Sequence, residues 1–363
     1  MKYTFTFLLA LFLCQLADAQ EELPSMYPKD IPIVQNIWHR VGDYSSGLRS
    51  VEAAEISPDS KLVVSGAKFG YAVILWRAAD GTIIWEKAHD SEVECVTFSP
   101  DGNRIATGGE DYFVRIWDTE DGNIIRSIEH PGALDGIAWS NNGEILAAGT
   151  EGGDLYLWNT DDFTLLGKVN VGSTINSIQF NQADDKVLVA GNVKTPDPET
   201  GERITTGFAT LLQVNDLETL VQYEGAEASV KSIRMTSDEK YVATGCFDNR
   251  VRVFDFNTGE LIKTFHEPYR VEAVAFTPDG HFLLSGGHDR VIRFYRMSDL
   301  DLVHTIPTPR TEYIDFSDDG RLMLTAHEDS GLLSLYMMIS VTNKIPGLYQ
   351  KMSQIQLNNR DMQ

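Results

Sequence analysis

The chain has 363 residues, of which 42% are hydrophobic, and its formal net charge at pH 7 is −23. The apolar content excludes a disordered acidic tail, because it suffices for a buried core. The acidic balance argues against nucleic-acid binding, since contact with phosphates needs a basic surface. A basic protein partner, a cation and plain solubility remain as explanations of the negative charge.

The first 19 residues have the pattern of an export signal. Lys2 supplies a positive start, an apolar run covers residues 5–13, and Ala17-Asp18-Ala19 has the small-x-small form of a cleavage site. The apolar run is too short to span a bilayer, and no second hydrophobic span follows it. We therefore predict a signal peptide at 1–19, a linker at 20–32 and a secreted or periplasmic protein.

The chain contains three cysteines. Lipid attachment at Cys14 is disfavoured relative to simple cleavage, because the bulky Leu13 precedes the sulfur. In an oxidising compartment Cys95 and Cys246 could form a disulfide. They lie three repeats apart and have no metal-ligand spacing, so two buried free thiols are the favoured interpretation.

A short phrase recurs along the chain: an apolar residue, a small polar residue, then Pro, Asp or Asn before a turn. Its seven copies begin at Ile56, Phe98, Trp139, Phe180, Met235, Phe276 and Phe316. Successive copies lie 42, 41, 41, 55, 41 and 40 residues apart. Such a period is typical of architectures in which each unit packs on its neighbours.

Each unit contains four short segments with the alternating pattern of β-strands. Strands over Ile105–Gly108 and Val114–Trp117 are examples, and a fourth strand follows a glycine turn, as at Thr258-Gly259. Seven such units resemble the WD-repeat (Trp-Asp) β-propeller family. The resemblance implies an all-β fold, a single seven-bladed β-propeller of four-stranded blades over residues 33–338. It also implies a scaffold that binds proteins.

Blade 2 carries the family pattern in its fullest form. The residues concerned are His89, Thr107, Asp111 and Trp117. In the family such a set forms a hydrogen-bond network that locks the blade, so the resemblance implies a structural role for these four residues. The other blades keep only parts of the pattern.

The ring also needs a strand to close it. Ile37-Trp38-His39-Arg40 resembles Ile84-Trp85-Glu86-Lys87, the predicted outer strand of blade 1. We therefore predict that residues 33–40 form the outer strand of blade 7, which removes the open sheet edge. Residues 339–363 remain as a C-terminal tail.

One column of the repeat alignment, just after the first apolar position of each innermost strand, is acidic. Its five acidic members are Glu52, Glu94, Asp135, Glu272 and Glu312, and the other two are Asn176 and Lys231. In a propeller this column forms a ring at the mouth of the central channel. Like charges held close together are costly unless water, a cation or basic groups neutralise them.

Three positions further along, Glu55 and Asp315 fall on adjacent blades. Glu55, Glu94 and Asp315 are therefore candidate ligands for Ca²⁺ or another hard cation. A Lys or Arg side chain of a partner is the second interpretation. The third is a hydrated charged rim without a ligand.

Two further features lie on the same face. His288 and His327 follow the second strands of blades 6 and 7, and we interpret them as exposed turn residues rather than a metal pair. Blade 4 is longer than the others, because its spacing of 55 exceeds 41 by 14 residues. The extra residues, between Ala190 and Thr210, are rich in Thr, Pro and Gly and are compatible with an extended hairpin. A binding loop and a neutral insertion are both open.

The sequence contains no metalloprotease, nucleophile-elbow, P-loop or dinucleotide-binding motif. We therefore expect a monomeric, non-enzymatic, exported platform for protein–protein interaction. The alternatives are a propeller enzyme or carbohydrate binder with a cation at the channel mouth, and a structural envelope protein. The residues expected at the contact surface are Glu94, Glu110, Arg270, His288, Arg290 and Arg310.

Overall fold

The computed structural model describes residues 36–45, 50–197 and 201–340, and every regular element among them is a β-strand. The predicted signal peptide and linker, and residues 341–363 of the predicted tail, lie outside the described residues. The propeller is formed by the compact unit Arg40–Tyr336. The second unit combines the two ends of the chain, and its described residues, 36–39 and 337–340, are strand ends.

The described residues form seven four-stranded antiparallel sheets, which confirms the predicted fold. Blade 1 consists of β2 (Val51–Ile56), β3 (Leu62–Ala67), β4 (Ala72–Arg77) and β5 (Ile83–Ala88). Blade 2 consists of β6 (Val93–Phe98), β7 (Arg104–Gly109), β8 (Phe113–Asp118) and β9 (Ile124–Glu129). Blade 3 consists of β10 (Leu134–Trp139), β11 (Ile145–Thr150), β12 (Asp154–Asn159) and β13 (Leu165–Asn170). Blade 4 consists of β14 (Thr174–Phe180), β15 (Lys186–Pro196), β16 (Arg203–Gln213) and β17 (Thr219–Gln222).

Blade 5 consists of β18 (Val230–Met235), β19 (Tyr241–Cys246), β20 (Arg250–Asp255) and β21 (Leu261–His266). Blade 6 consists of β22 (Val271–Phe276), β23 (Phe282–Gly287), β24 (Val291–Arg296) and β25 (Asp301–Pro307). Blade 7 consists of β26 (Thr311–Phe316), β27 (Leu322–His327), β28 (Leu332–Ser340) and β1 (Asn36–Ser45). The innermost strands β2, β6, β10, β14, β18, β22 and β26 contact one another in that order, and β26 contacts β2, so the ring is closed.

The recurring phrase of the sequence is the turn between the first two strands of a blade. In blade 2 the Ser99 hydroxyl donates to Asp101 Oδ1 (2.6 Å) and accepts the Arg104 N–H (2.9 Å). Gly102 takes the left-handed conformation (φ +71°) that ends the turn. The pairs Ser57–Asp59, Thr236–Asp238, Thr277–Asp279 and Ser317–Asp319 repeat the first of these bonds. The phrase recurs because each blade needs the same tight turn.

The hydrophobic core lies between neighbouring blades. Leu75 and Trp85 of blade 1, for example, pack in one cluster with Val93, Phe98 and Trp117 of blade 2. Burial of each such side chain contributes about 1.5–3 kcal/mol. Each blade is therefore stabilised mainly by its neighbours.

An N-terminal outer strand closes blade 7, as predicted. It is β1, and residues 33–35 of the predicted range lie outside the described residues. The Tyr44 ring stacks on Trp76 of blade 1, and its hydroxyl donates to the Ala78 carbonyl oxygen. Trp85 donates in the same way to the Thr119 carbonyl oxygen of blade 2 (2.9 Å). Tyr44 of the closing strand and Trp85 of blade 1 thus both donate to a backbone carbonyl oxygen of the next blade.

A close approach accompanies this contact. Gly81 adopts φ +68°, and a Cβ atom there would lie 2.1 Å from the Tyr44 ring. Gly122 has the same relation to Trp85, at 2.9 Å. Glycine is therefore required at this turn wherever the preceding blade inserts a large ring.

In blade 2 the four residues of the family pattern form one hydrogen-bonded chain. The Trp117 indole N–H donates to Thr107 Oγ1 (2.8 Å), which lies 2.7 Å from His89 Nε2. His89 Nδ1 lies 2.9 Å from Asp111 Oδ2, and Arg115 also pairs with Asp111. Although burial acts in the opposite direction, these hydrogen bonds hold the pKa of Asp111 well below its usual range.

Other blades satisfy the same buried positions with different residues. In blade 6 Glu267 replaces the histidine and accepts hydrogen bonds from Ser285 (2.8 Å) and Tyr295 (2.6 Å). In blade 7 His327 lies in the interior, with Nε2 3.0 Å from Thr325 Oγ1 and 3.1 Å from Ser334 Oγ. The prediction of an exposed turn residue was therefore wrong for His327, because it supplies the imidazole of its blade from the end of a strand.

The added length of blade 4 forms an extended hairpin, as the sequence indicated. Strands β15 and β16 have 11 residues each and pair continuously from Lys186↔Gln213 to Pro196↔Arg203. The outer strand β17 has only four residues. The hairpin therefore extends beyond the blade to which it belongs.

Both cysteines of the propeller are free and buried. Cys95 and Cys246 are 6% and 0% exposed, respectively. Burial, the largest influence, raises the pKa of the Cys246 thiol to about 11. The interpretation as two buried free thiols is confirmed.

Candidate functional site

The seven residues of the acidic column surround one cavity at the centre of the ring. The cavity has a volume of about 80 Å³, and its walls include Glu52, Glu94, Asp135, Asn176, Lys231, Glu272 and Glu312. One residue comes from the innermost strand of each blade, because the column has the same register in every repeat. We call this space the acid cavity. It has room for several water molecules.

Burial and nearby negative charges raise the pKa of four carboxyl groups of the acid cavity. Burial, with the charges of Glu52 and Asp135, raises the pKa of Glu94 to about 8. Burial, with the charges of Glu272 and Glu52, raises the pKa of Glu312 to about 9. Burial also raises the pKa of Glu272 to about 7 and that of Asp135 to about 6, although Lys231 acts against both shifts. The cavity therefore holds protons near neutral pH when it holds no other cation.

Lys231 is the one cationic member of the acid column. Burial opposes its charge, but the carboxylates of Glu272, Asp135 and Glu312 outweigh burial and raise its pKa. Sequence reasoning placed Lys231 in the column without assigning it a role. Its position among five acidic residues was the signal that it offsets part of their repulsion.

A second set of polar side chains, three positions further along, links neighbouring blades. Glu55 Oε1 accepts the Phe98 N–H of blade 2 (3.0 Å), and Asp315 Oδ2 accepts the Ile56 N–H of blade 1 (2.8 Å). Gln179 Oε1 accepts the Met235 N–H of blade 5 in the same manner (2.9 Å). These side chains therefore satisfy backbone groups between blades.

The acid cavity has a polar floor. Arg234 Nη1 donates to Ser177 Oγ of blade 4 (2.8 Å), and Arg234 Nη2 donates to the Tyr313 hydroxyl of blade 7 (2.9 Å). The guanidinium also lies over the Tyr313 ring, 5.5 Å from its centroid. Arg234 and Tyr313 are both among the residues that line the cavity. The sequence contained no signal for this cross-channel pair, because their blades are not adjacent.

The candidate ligand set Glu55, Glu94 and Asp315 is not brought together by the structure. Glu55 and Asp315 are engaged with backbone N–H groups, whereas Glu94 lines the acid cavity. Within the described part of the chain, the side chains close enough to share one ion are Glu272, His288 and Glu312, whose ligand atoms all lie within 4.8 Å of one another. The expected ligand set is not formed because Glu55 and Asp315 each accept a backbone N–H of the neighbouring blade, while Glu94 faces the cavity.

The acid cavity lies at one end of the ring. In blade 2 the start of the first strand pairs with the end of the second, Val93 with Gly109, so the loops before the first strands and the turns after the second strands share this end. We call it the mouth face. All six residues expected at the contact surface lie on it. Arg290 is exposed and pairs with Asp329 (2.6 Å), and Arg270 lies over the Phe247 ring at 4.9 Å.

The other four predicted contact residues are partly or largely withdrawn from the surface. His288 is half-buried, with Nε2 2.7 Å from Glu272 Oε1, so its interpretation as an exposed residue was also wrong. Arg310 pairs with Glu328 (2.6 Å), Glu94 lines the cavity, and Glu110 is half-buried. Burial and the charges of Glu151 and Glu92 raise the pKa of Glu110.

Sequence reasoning missed a group of exposed aromatic residues. In the described part of the chain, the exposed aromatic side chains are Phe69, Tyr71, Tyr112 and Tyr269. Phe69 and Tyr71 lie in the turn between β3 and β4, Tyr112 in the turn between β7 and β8, and Tyr269 in the loop before β22. All four therefore lie on the mouth face. The sequence signal for them was an aromatic residue placed among turn-forming residues, where no buried strand position is expected.

Comparison with known proteins supports the repeat assignment. The model of the WD domain, G-beta repeat family matches residues 81–118 and 122–159, and that of eukaryotic translation initiation factor eIF2A matches residues 200–330. Each WD match begins near the outer strand of one blade and ends with the third strand of the next.

Curated relatives match parts of the chain. Eukaryotic translation initiation factor 3 subunit I of Aspergillus oryzae is 30% identical over 115 residues, which are 31% of this chain and 30% of that protein. WD repeat-containing protein SL1-17 of Schistosoma mansoni is 33% identical over 20% of this chain and 25% of its own length. The ribosome biogenesis protein BOP1 homolog of Leishmania infantum is 41% identical over 15% of this chain and 7% of its own length. The chain thus spans less than a third of each of these relatives.

These relatives contradict the predicted location. Translation initiation and ribosome biogenesis, named in their descriptions, take place inside cells, so the prediction of a secreted or periplasmic protein is wrong. The pattern in residues 1–19 resembled a signal, but a short basic and apolar N-terminus does not determine location. Among the described residues, no helix has the length and apolar character needed to cross a membrane. The repeat matches and the seven four-stranded blades together identify the chain as a member of the WD-repeat family of seven-bladed β-propellers.

Proposed function

We propose that the chain is a platform for protein–protein interaction and that its contact surface is the mouth face. The position of the exposed aromatic side chains supports this choice of face. Phe69, Tyr71, Tyr112 and Tyr269 are 43–61% exposed and lie on the same face, within the described part of the chain. Aromatic residues are enriched among those that dominate binding energy at protein interfaces.

The acid cavity supports a partner that presents a basic side chain. Five carboxyl residues and two cationic ones, Lys231 and Arg234, line a space of about 80 Å³. A Lys or Arg side chain at the cavity mouth would relieve the repulsion that raises the pKa of Glu94 to about 8. Such complementarity orients a partner and speeds its association.

Affinity capture from an extract of the native cells tests the choice of face. The wild-type chain is compared with a Tyr112→Ala/Tyr269→Ala variant and with a Leu166→Ala/Leu261→Ala control. The control removes exposed apolar side chains from the outer strands β13 and β21. We expect a stoichiometric protein partner with wild type and control and its loss with the tyrosine variant. Equal recovery with the tyrosine variant would place the contact elsewhere.

A second comparison tests the basic side chain. Glu94→Gln and Asp135→Asn replace two carboxyl groups of the acid cavity with neutral amides of similar size. We expect slower association with the captured partner and a weaker dependence of that rate on salt concentration. An unchanged rate would show that the partner does not use the cavity.

A further inference from the structure

The residues at the edge of the acid cavity that belong to blades 6 and 7 differ from the rest of the ring. Glu272 lies on β22, His288 in the turn after β23, and Glu312 on β26. One ligand atom from each of the three lies within 4.8 Å of the other two, and Glu272 Oε1 is 2.7 Å from His288 Nε2. Ligand atoms around a four-coordinate metal with bonds near 2.0–2.1 Å are about 3.3 Å apart. Small side-chain shifts are enough to reach that arrangement.

Two oxygen atoms of this cluster lack the partners that buried oxygens normally have. The side chains of Glu272 and Glu312 are 3% and 8% exposed. Glu272 Oε2 and Glu312 Oε1 are nevertheless buried without a hydrogen-bond partner. Nearly all buried carboxylate oxygens in folded proteins are hydrogen-bonded or bind a cation. These atoms therefore point to a missing positive ligand.

Arg310 does not fill this role. Arg310 approaches Glu312 Oε1 only at 3.4 Å, and its Nε has no hydrogen-bond partner. It pairs with Glu328 (2.6 Å) and contacts His288 Nε2, the atom that also faces Glu272. A guanidinium only donates hydrogen bonds, so Arg310 requires this nitrogen to be an acceptor. The Glu272 carboxylate only accepts, so it requires the same nitrogen to be a donor. Movement of Arg310 wholly to Glu328 would free that nitrogen.

We propose that Glu272, His288 and Glu312 bind a divalent first-row transition-metal ion, with Zn²⁺ as the representative. Two carboxylates neutralise the ion, and the imidazole supplies the nitrogen ligand that such ions favour. Ca²⁺ is disfavoured, because it takes six to eight oxygen ligands and this cluster provides a nitrogen and two carboxylates. The proposed site replaces the Ca²⁺ set expected from sequence. It is independent of the proposed platform function.

Metal titration of the tag-free full chain tests the proposal. Zn²⁺ and Ca²⁺ are added separately at about pH 7.5 in competition with a chromophoric chelator, and a bound ion is expected to displace the protons that the ligand side chains hold. We expect one Zn²⁺ per chain and no Ca²⁺ uptake by the wild type. His288→Ala should weaken Zn²⁺ binding at least about tenfold. His281→Ala is the matched control, since His281 is an exposed histidine at the opposite end of strand β23 in the same blade.

Two further measurements distinguish this site from adventitious binding. Arg310→Gln should tighten Zn²⁺ binding, because it removes the cation that competes for His288. Co²⁺ bound by the wild type should give visible absorption bands of a low-coordinate nitrogen and oxygen site, and the bands should vanish in Glu312→Gln. Absence of Zn²⁺ uptake, or uptake that is unchanged in His288→Ala, would overturn the proposal.

Discussion

Glu55→Gln is the change whose effect the structure defines most sharply. Glu55 accepts the Phe98 N–H between blades 1 and 2. Burial, followed by the charge of Asp315, raises its pKa from 4.5 to about 8. Between these values the folded chain retains a proton that the unfolded chain has lost. The free energy of unfolding therefore falls as pH rises from about 4.5 to about 8.

The size of the effect follows from the shift. A rise from 4.5 to about 8 corresponds to about 5 kcal/mol at 1.36 kcal/mol per pH unit. Part of the rise comes from the charge of Asp315, and a buried glutamine also loses hydration, so the gain from neutralisation is smaller. We expect Glu55→Gln to raise the free energy of unfolding at pH 8 by about 2–3 kcal/mol. Near pH 5, where Glu55 is protonated, the two proteins should be similar.

Blade 4 provides a precedent and a reciprocal test. Gln179 occupies the equivalent position and accepts the Met235 N–H at 2.9 Å, so glutamine is compatible with this contact. Gln179→Glu should introduce the opposite change, a loss of stability as pH rises. Glu218→Gln serves as a control because Glu218 is exposed.

Urea denaturation from about pH 5 to about pH 9 measures these differences. Wild type, Glu55→Gln, Gln179→Glu and the control are compared at each pH. The reasoning is refuted if Glu55→Gln is no more stable than wild type at pH 8, or if its stability depends on pH as strongly as that of the wild type.

Three other changes test the fold and the acid cavity. Trp117→Ala should lower the free energy of unfolding by about 3–5 kcal/mol, because Trp117 is 2% exposed and donates a hydrogen bond to Thr107. A loss below about 1 kcal/mol in urea denaturation would contradict its place in the core. Lys231→Met should lower the free energy of unfolding by about 3–5 kcal/mol at pH 7, since it removes the cation of the acid column, and by less near pH 5, where the carboxyl groups hold protons; an equal loss at both pH values would argue against this role. Cys95 and Cys246 should not react with a thiol reagent in the folded chain and should react fully after denaturation; fast labelling of the native protein would contradict their burial.

Repetition made the ring predictable. The phrase that forms the tight turn, as at Ser99 and Asp101, occurs once per blade, so its period gave the number of blades and the register of the innermost strands. The same register brought the acid column together around one cavity. Features that repeat in every unit can be aligned along the chain before any coordinates exist.

Features that occur once were not predictable in this way. The Arg234–Tyr313 contact joins blades 5 and 7, and no repeat relation links those two residues. His327 ends the second strand of its blade, whereas His89 precedes the first strand of blade 2, yet both imidazoles contact the buried threonine of their blade. The turn-like sequence around His327 therefore suggested exposure wrongly. In the closing strand, Tyr44 donates to the Ala78 carbonyl oxygen as Trp85 of blade 1 donates to that of Thr119, and no repeated pattern in the sequence marked Tyr44 for this contact.

The closing strand imposes an order on folding. Ser334 donates to Asp43 Oδ1 at 2.8 Å, and 291 positions separate the two residues. Contacts of such high sequence separation form late, because a long loop must close first. During synthesis β1 therefore waits without a partner until β28 has been made, and the outer edge of β28 stays open until β1 pairs with it. That interval is when the chain is most prone to strand exchange with another copy, so chaperone dependence should be concentrated at this last step.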